Sequence, residues 1–80
     1  MNLDIQILDR LIETQKMFDY AHGLNDWELK VNLQGDLLEV VVMKLGEIKF
    51  EIVITPVTPV TVNIIDMYLR ETYIYPFINN

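Results

Sequence analysis

The 80-residue chain predicts an α+β domain in the order α-β-β-β-α, a three-stranded antiparallel meander covered by an N-terminal and a C-terminal helix. Two patterns carry this. Apolar residues recur at helical spacing near each end of the chain, and they alternate with polar ones through much of the middle. Short turns containing Gly35 and Gly46 divide that middle into three strands. A chain this short forms one domain, here residues 1–80.

The first helix is expected over residues 3–22. Ile7, Leu8, Leu11, Ile12 and Phe18 recur at spacings of three, four and seven, while Asp9, Arg10, Glu13 and Lys16 fall mainly on the other side. Asn2 is a natural N-cap, Asp4 suits the positive end of the helix dipole, and Gly23 is a natural residue to follow the last turn. Asn25-Asp26 then forms a turn. Residues 27–34 alternate, with Trp27, Leu29, Val31 and Leu33 on one face. The second strand spans 37–45 and the third 48–54, where Ile48, Phe50, Ile52 and Ile54 share a face. Residues 55–58 form a Pro-containing linker, because proline lacks the donor an inner strand needs. Thr58 can cap a helix over 59–72 with Pro59 in its first turn, although Val60-Thr61-Val62 could instead form a short fourth strand. Pro76 should stop any helix and leave an aromatic tail, 73–80.

Composition narrows the function. The chain has no serine, no cysteine and one histidine, so the usual partners of nucleophilic catalysis are missing. We expect no enzyme activity, no cofactor and no metal. A disulfide scaffold is excluded, and a structural zinc site nearly so. The three glycines fit neither a P-loop nor a dinucleotide fingerprint. No apolar run approaches the ~20 residues of a membrane span. The first residues lack the pattern of a signal peptide, so the expected compartment is the cytoplasm, or a host's cytoplasm if the chain is phage-encoded. A net charge of -6 disfavours direct binding to nucleic acid or to anionic membranes and favours a basic protein partner. The α-β-β-β-α order also occurs in double-stranded-RNA-binding domains, but the basic residues that grip phosphate are missing.

Each candidate site has an ordinary reading beside it. His22 is expected to cap or pack the end of the first helix. Asp9 and Glu13 share a helix face, but one carboxylate pair is a weak metal signal and a solvated face accounts for it. Asp66 and Arg70 should form an i, i+4 pair worth a few tenths of a kcal/mol. The second helix is the unusual element. Val60, Val62, Ile64, Ile65, Met67, Tyr68 and Leu69 cover roughly 220° of its wheel, more than one core requires. Its second apolar side needs the tail, a second copy or another protein. The expected partner-binding residues are Ile65, Tyr68, Leu69, Tyr73, Tyr75 and Phe77. Met17 and Tyr20 should also project from the polar side of the first helix.

Two functions compete. The first is a small acidic interaction module, such as an inhibitor from a phage or mobile element, that occupies a surface of a target. That surface could be the basic groove of a nucleic-acid-handling enzyme, met by Asp9, Glu13, Glu28 and Glu51. Lys30 and Lys49 beside Glu28 and Glu51 dilute such a mimic. The second is a structural or accessory homo-oligomer, a homodimer above all, with no separate target. A carboxylate-only catalytic domain ranks below both, because so small a chain leaves little room for a cleft.

Overall fold

The computed structural model describes residues 5–23 and 26–78. The order is α1 (Ile5–His22), β1 (Trp27–Gln34), β2 (Leu37–Lys44), β3 (Glu47–Ile54) and α2 (Pro59–Leu69). A π-helical turn, Arg70–Ile74, then leads into α3 (Tyr75–Ile78). The sheet is an antiparallel meander in the order β1-β2-β3, so the α-β-β-β-α architecture is as the sequence predicts. Asn2, Leu3, Asp4 and Asn25, named above as cap, helix start and turn, lie outside the described residues, as do Asn79 and Asn80 of the tail.

Two-residue turns set the strand registers. Gln34 pairs with Leu37 across Gly35-Asp36, and Lys44 with Glu47 across Leu45-Gly46. Gly35 has φ 61°, which costs glycine nothing. Leu45 and Gly46 both have positive φ, at 54° and 79°, the pattern of a type I′ turn. Leu45 therefore belongs to a turn and not to the second strand. Between Val42 and Met43 of β2 the partners on β3 step from Phe50 to Ile48, so Lys49 is the extra residue of a β-bulge.

One face of the sheet is apolar and both helices lie on it. Leu29, Leu38, Val40 and Val42 are buried there with Ile7, Leu11 and Phe18 of α1, and with Val62, Ile65, Leu69 and Ile74. Val57, placed in the linker by sequence, is buried too, and its N–H donates to the carbonyl of Asp36 at 2.8 Å. The inward positions of α1 are Ile7, Leu11, Thr14, Phe18 and His22, while Leu8 and Ile12 are exposed. The expected stripe is thus rotated, because Thr14 finds a polar partner inside. Met17 is half-buried against the core and Tyr20 is exposed.

The second helix begins as its capping residues dictate. Thr61 N–H donates to Thr58 Oγ1, and Thr58 N–H donates to Thr61 Oγ1, a reciprocal box with Pro59 in the first turn. Residues 60–62 are therefore helical and form no fourth strand. Pro76 does not end the helix, contrary to the sequence expectation. Directly before it the ladder widens, and Tyr75 N–H reaches back to the carbonyl of Arg70. After such a break a proline sits in a new first turn, where its fixed φ is helical and its missing donor costs little. The tail is accordingly helical as far as Ile78.

Candidate protein-contact surface

Two polar clusters join α1 to the second helical stretch. Asp66 has a fully buried side chain and accepts from Arg10 Nε at 2.8 Å, from Arg70 Nε at 2.9 Å and from the Thr14 hydroxyl. Arg70 also donates to Glu13 at 2.9 Å. Burial alone would raise the pKa of Asp66, but the bonds from Thr14, Arg70 and Arg10 outweigh it and hold the carboxyl below its ordinary value. Sequence reasoning read Asp66 as the i, i+4 partner of Arg70 on the second helix. It lies inside because both arginines and Thr14 come to meet it.

At the other end, His22 is buried with Nε2 2.7 Å from the carbonyl of Tyr73. A carbonyl can only accept, so this nitrogen carries the proton. The His22 ring lies 4.5 Å from Phe18, 4.9 Å from Trp27 and 4.3 Å from Phe77. Lys44 covers the Trp27 ring at 5.3 Å. Burial, then Tyr68, raises the pKa of Tyr73. His22 therefore has the packing role expected of it. Contacts pair Arg10 with Asp66, Glu13 with Arg70 and His22 with Tyr73, so the two helices run side by side in the same direction.

These clusters tie the two helices together, and an open hollow lined by Gln6, Asp9, Arg10, Glu13 and Arg70 lies beside the first of them. Among the described residues no group of three or more His, Cys, Asp or Glu could hold a metal ion. Nor, among those residues, is any helix long and apolar enough to cross a membrane.

The expected partner-binding residues divide. Ile65 and Leu69 are buried against the chain's own core, so they cannot meet a partner in this fold. Tyr73 is half-buried beside Trp27 and Tyr68. Tyr68, Tyr75 and Phe77 are partly exposed, with Tyr68 leaning on Phe50 of β3 and Phe77 closing over His22 and Trp27. The side of the helix away from Ile65 and Leu69 has no cover among the described residues. Val60 is 65%, Ile64 61% and Met67 55% exposed. Tyr68, Tyr75 and Ile78 extend this stripe to the end of α3. Glu71 is the one charged side chain among the exposed residues of 59–78. A surface depleted of charge, in a chain 22% charged overall, has the composition of an interface core. Six side chains exposed to this degree leave about 500–700 Å² of surface, close to one side of a standard interface at about 800 Å². Val60, Ile64 and Met67 were counted in the wide arc of the wheel but not among the contact residues. A 100° step per residue sets Ile64 and Met67 apart from Ile65 and Leu69, but which side is buried follows from where α1 packs.

The four acidic residues do not share a face. Asp9 and Glu13 lie on α1, with Glu13 tied to Arg70. Glu28 and Glu51 lie on the polar side of the sheet, where Lys30 and Glu51 flank Val41 from opposite strands. Comparison with family models, with curated proteins and with solved structures gives no match.

Proposed function

We propose that this chain is a non-enzymatic protein-interaction module that acts by occupying a surface of another protein, as an inhibitor does. The contact face is the outer side of α2 and α3, and the observation that carries this reading is the uncovered, nearly uncharged stripe from Val60 to Ile78. The partner it fits is a basic protein with an apolar patch. The net charge of -6 steers the encounter, and the stripe supplies the affinity. Imitation of nucleic acid has less support, because the acidic residues are split between the helical layer and the sheet.

Capture of partners on the tagged chain, at low and at high salt, tests this. A partner bound through the stripe stays at high salt, since apolar contacts are not screened. Replacing Ile64→Glu together with Met67→Glu should weaken retention at least about tenfold while unfolding stays near wild type, because both side chains already face water. The pair Glu28→Gln and Glu51→Gln should leave retention intact. Full retention by the helix variant overturns the assignment. Loss only in the sheet variant moves the contact to the charged face.

A further inference from the structure

We propose that two copies of this chain pair through the free edge of β1, antiparallel and about a two-fold axis at Val31, to make one six-stranded sheet. The proposal goes beyond the helical contact face and rests on different residues.

The two edges of the sheet differ. An open edge offers unpaired N–H and C=O groups to any extended chain, and monomers guard it with charges, bulges or proline. The β3 edge is guarded, with Lys49 bulged out between Glu47 and Glu51. The β1 edge carries Glu28 and Lys30 but has neither of the stronger guards. All eight of its residues pair in regular register with β2, without a bulge or a proline.

An apolar groove runs beside that edge. Leu8, Leu11 and Ile12 of α1 line one wall, Val31 and Leu33 of β1 the other, and Gln15 and Lys16 rim it. Leu8 and Ile12 are exposed, although the sequence pattern assigns them to the core. The groove lies along the second half of β1. The first half is bordered instead by Gln15, Asp19, Asp26 and Glu28.

The occupant follows from the edge and from charge. Edge groups select an extended strand. A register shift of one residue would set apolar side chains against polar ones, so only alternate registers keep the faces matched. Centring on Val31 sets Val31 against its own copy, Leu29 against Leu33, Lys30 against Asn32 and Glu28 against Gln34. Within β1 itself no like charges then face each other, and only Asp26 and Asp36, outside the strand at either end, fall opposite. Centring on Lys30 sets Lys30 against Lys30, and centring on Asn32 sets Glu28 against Asp36. Centring on Leu29 joins Glu28 to Lys30 but draws the acidic half of the edge inward and leaves Leu33 unpaired. The Val31 register also brings the Val31 ends of the two grooves together and sets the Leu33 end of each beside Leu29 of the other copy, so the walls formed by Leu8 and Ile12 border the joined edge.

Two measurements test this. Sedimentation across a concentration series should give twice the 9.4 kDa chain mass for the wild type and weaken at least about tenfold with Ile12→Lys. The chain has no cysteine, so Val31→Cys gives each copy one thiol at the proposed axis. Facing residues of an antiparallel pair lie about 4.5–5.5 Å apart at Cα, within disulfide range. Oxidation should therefore yield a covalent dimer from Val31→Cys and not from Ile48→Cys on β3. A wild-type mass of one chain at millimolar concentration overturns the proposal, as does equal cross-linking of the two variants. The Ile64→Glu, Met67→Glu variant should remain dimeric, and Ile12→Lys should still capture a partner. Those two results separate failure of this inference from failure of the functional reading.

Discussion

Replacing Asp66→Asn keeps the shape of the side chain and removes its charge. The carboxylate is fully buried and takes bonds from Arg10, Arg70 and Thr14. Removing one partner of a buried ion pair costs about 3–5 kcal/mol, because the other charge is left without compensation. Here Arg10 is 44% and Arg70 17% exposed at the side chain, so water recovers part of that loss. The amide must also turn its NH₂ toward a guanidinium or a hydroxyl that already donates. A cost of about 2–4 kcal/mol follows, against a total stability of about 4–12 kcal/mol for a chain this long. Urea unfolding read by the single Trp27 should show it as a midpoint lowered by about 2 M or more. The pH dependence gives a second reading. The pKa of Asp66 is depressed on folding, so its contribution is present above the ordinary value of 3.8 and is lost as pH falls toward the lower folded value. Wild type should lose stability over that acid window more steeply than the variant. A variant within about 0.5 kcal/mol of wild type at pH 7, with the same acid slope, would refute the assignment of Asp66 as the tie between the helices.

Two further substitutions probe the turn and the ring cluster. Leu45 is 74% exposed and held at φ 54°, so Leu45→Asn should stabilise by about 0.5–1 kcal/mol, seen as a thermal midpoint raised by several degrees. Phe77→Ala uncovers His22 and Trp27 and should cost about 1–2 kcal/mol, less than a fully buried phenylalanine because Phe77 is partly exposed. Trp27 emission should shift to the red in the same variant. An unshifted spectrum would show that the last helical turn does not shield the indole.

The sheet was legible because its signals are local. Trp27, Leu29, Val31 and Leu33 alternate, and Gly35 and Gly46 mark turns that two-residue connections require. The cap at Thr58 was legible for the same reason. What escaped depends on partners far along the chain. Thr14 turns inward, and Leu8 and Ile12 outward, because Asp66 arrives from 52 residues away to satisfy a hydroxyl. No periodicity within the first helix encodes that. Asp66 reads as a surface charge until two arginines are placed beside it. Pro76 reads as a helix stop because a one-residue widening of the ladder leaves no local mark. The contact face was legible as an excess of apolar arc, but the division between core and solvent needed the position of α1.

The parallel course of α1 and α2 has a kinetic consequence. Two helices joined by a short loop must run antiparallel, so here the whole meander serves as the connection. The polar ties described between the helices span 51 to 57 residues of chain. The two hairpins, by contrast, close across two residues each. Because loop closure must be met before distant contacts repay it, the hairpins are the natural nucleus and the docking of the helical layer is the late, rate-setting event. On that account Asp66→Asn acts mainly on the rate of unfolding, and a change in either tight turn acts on the rate of folding.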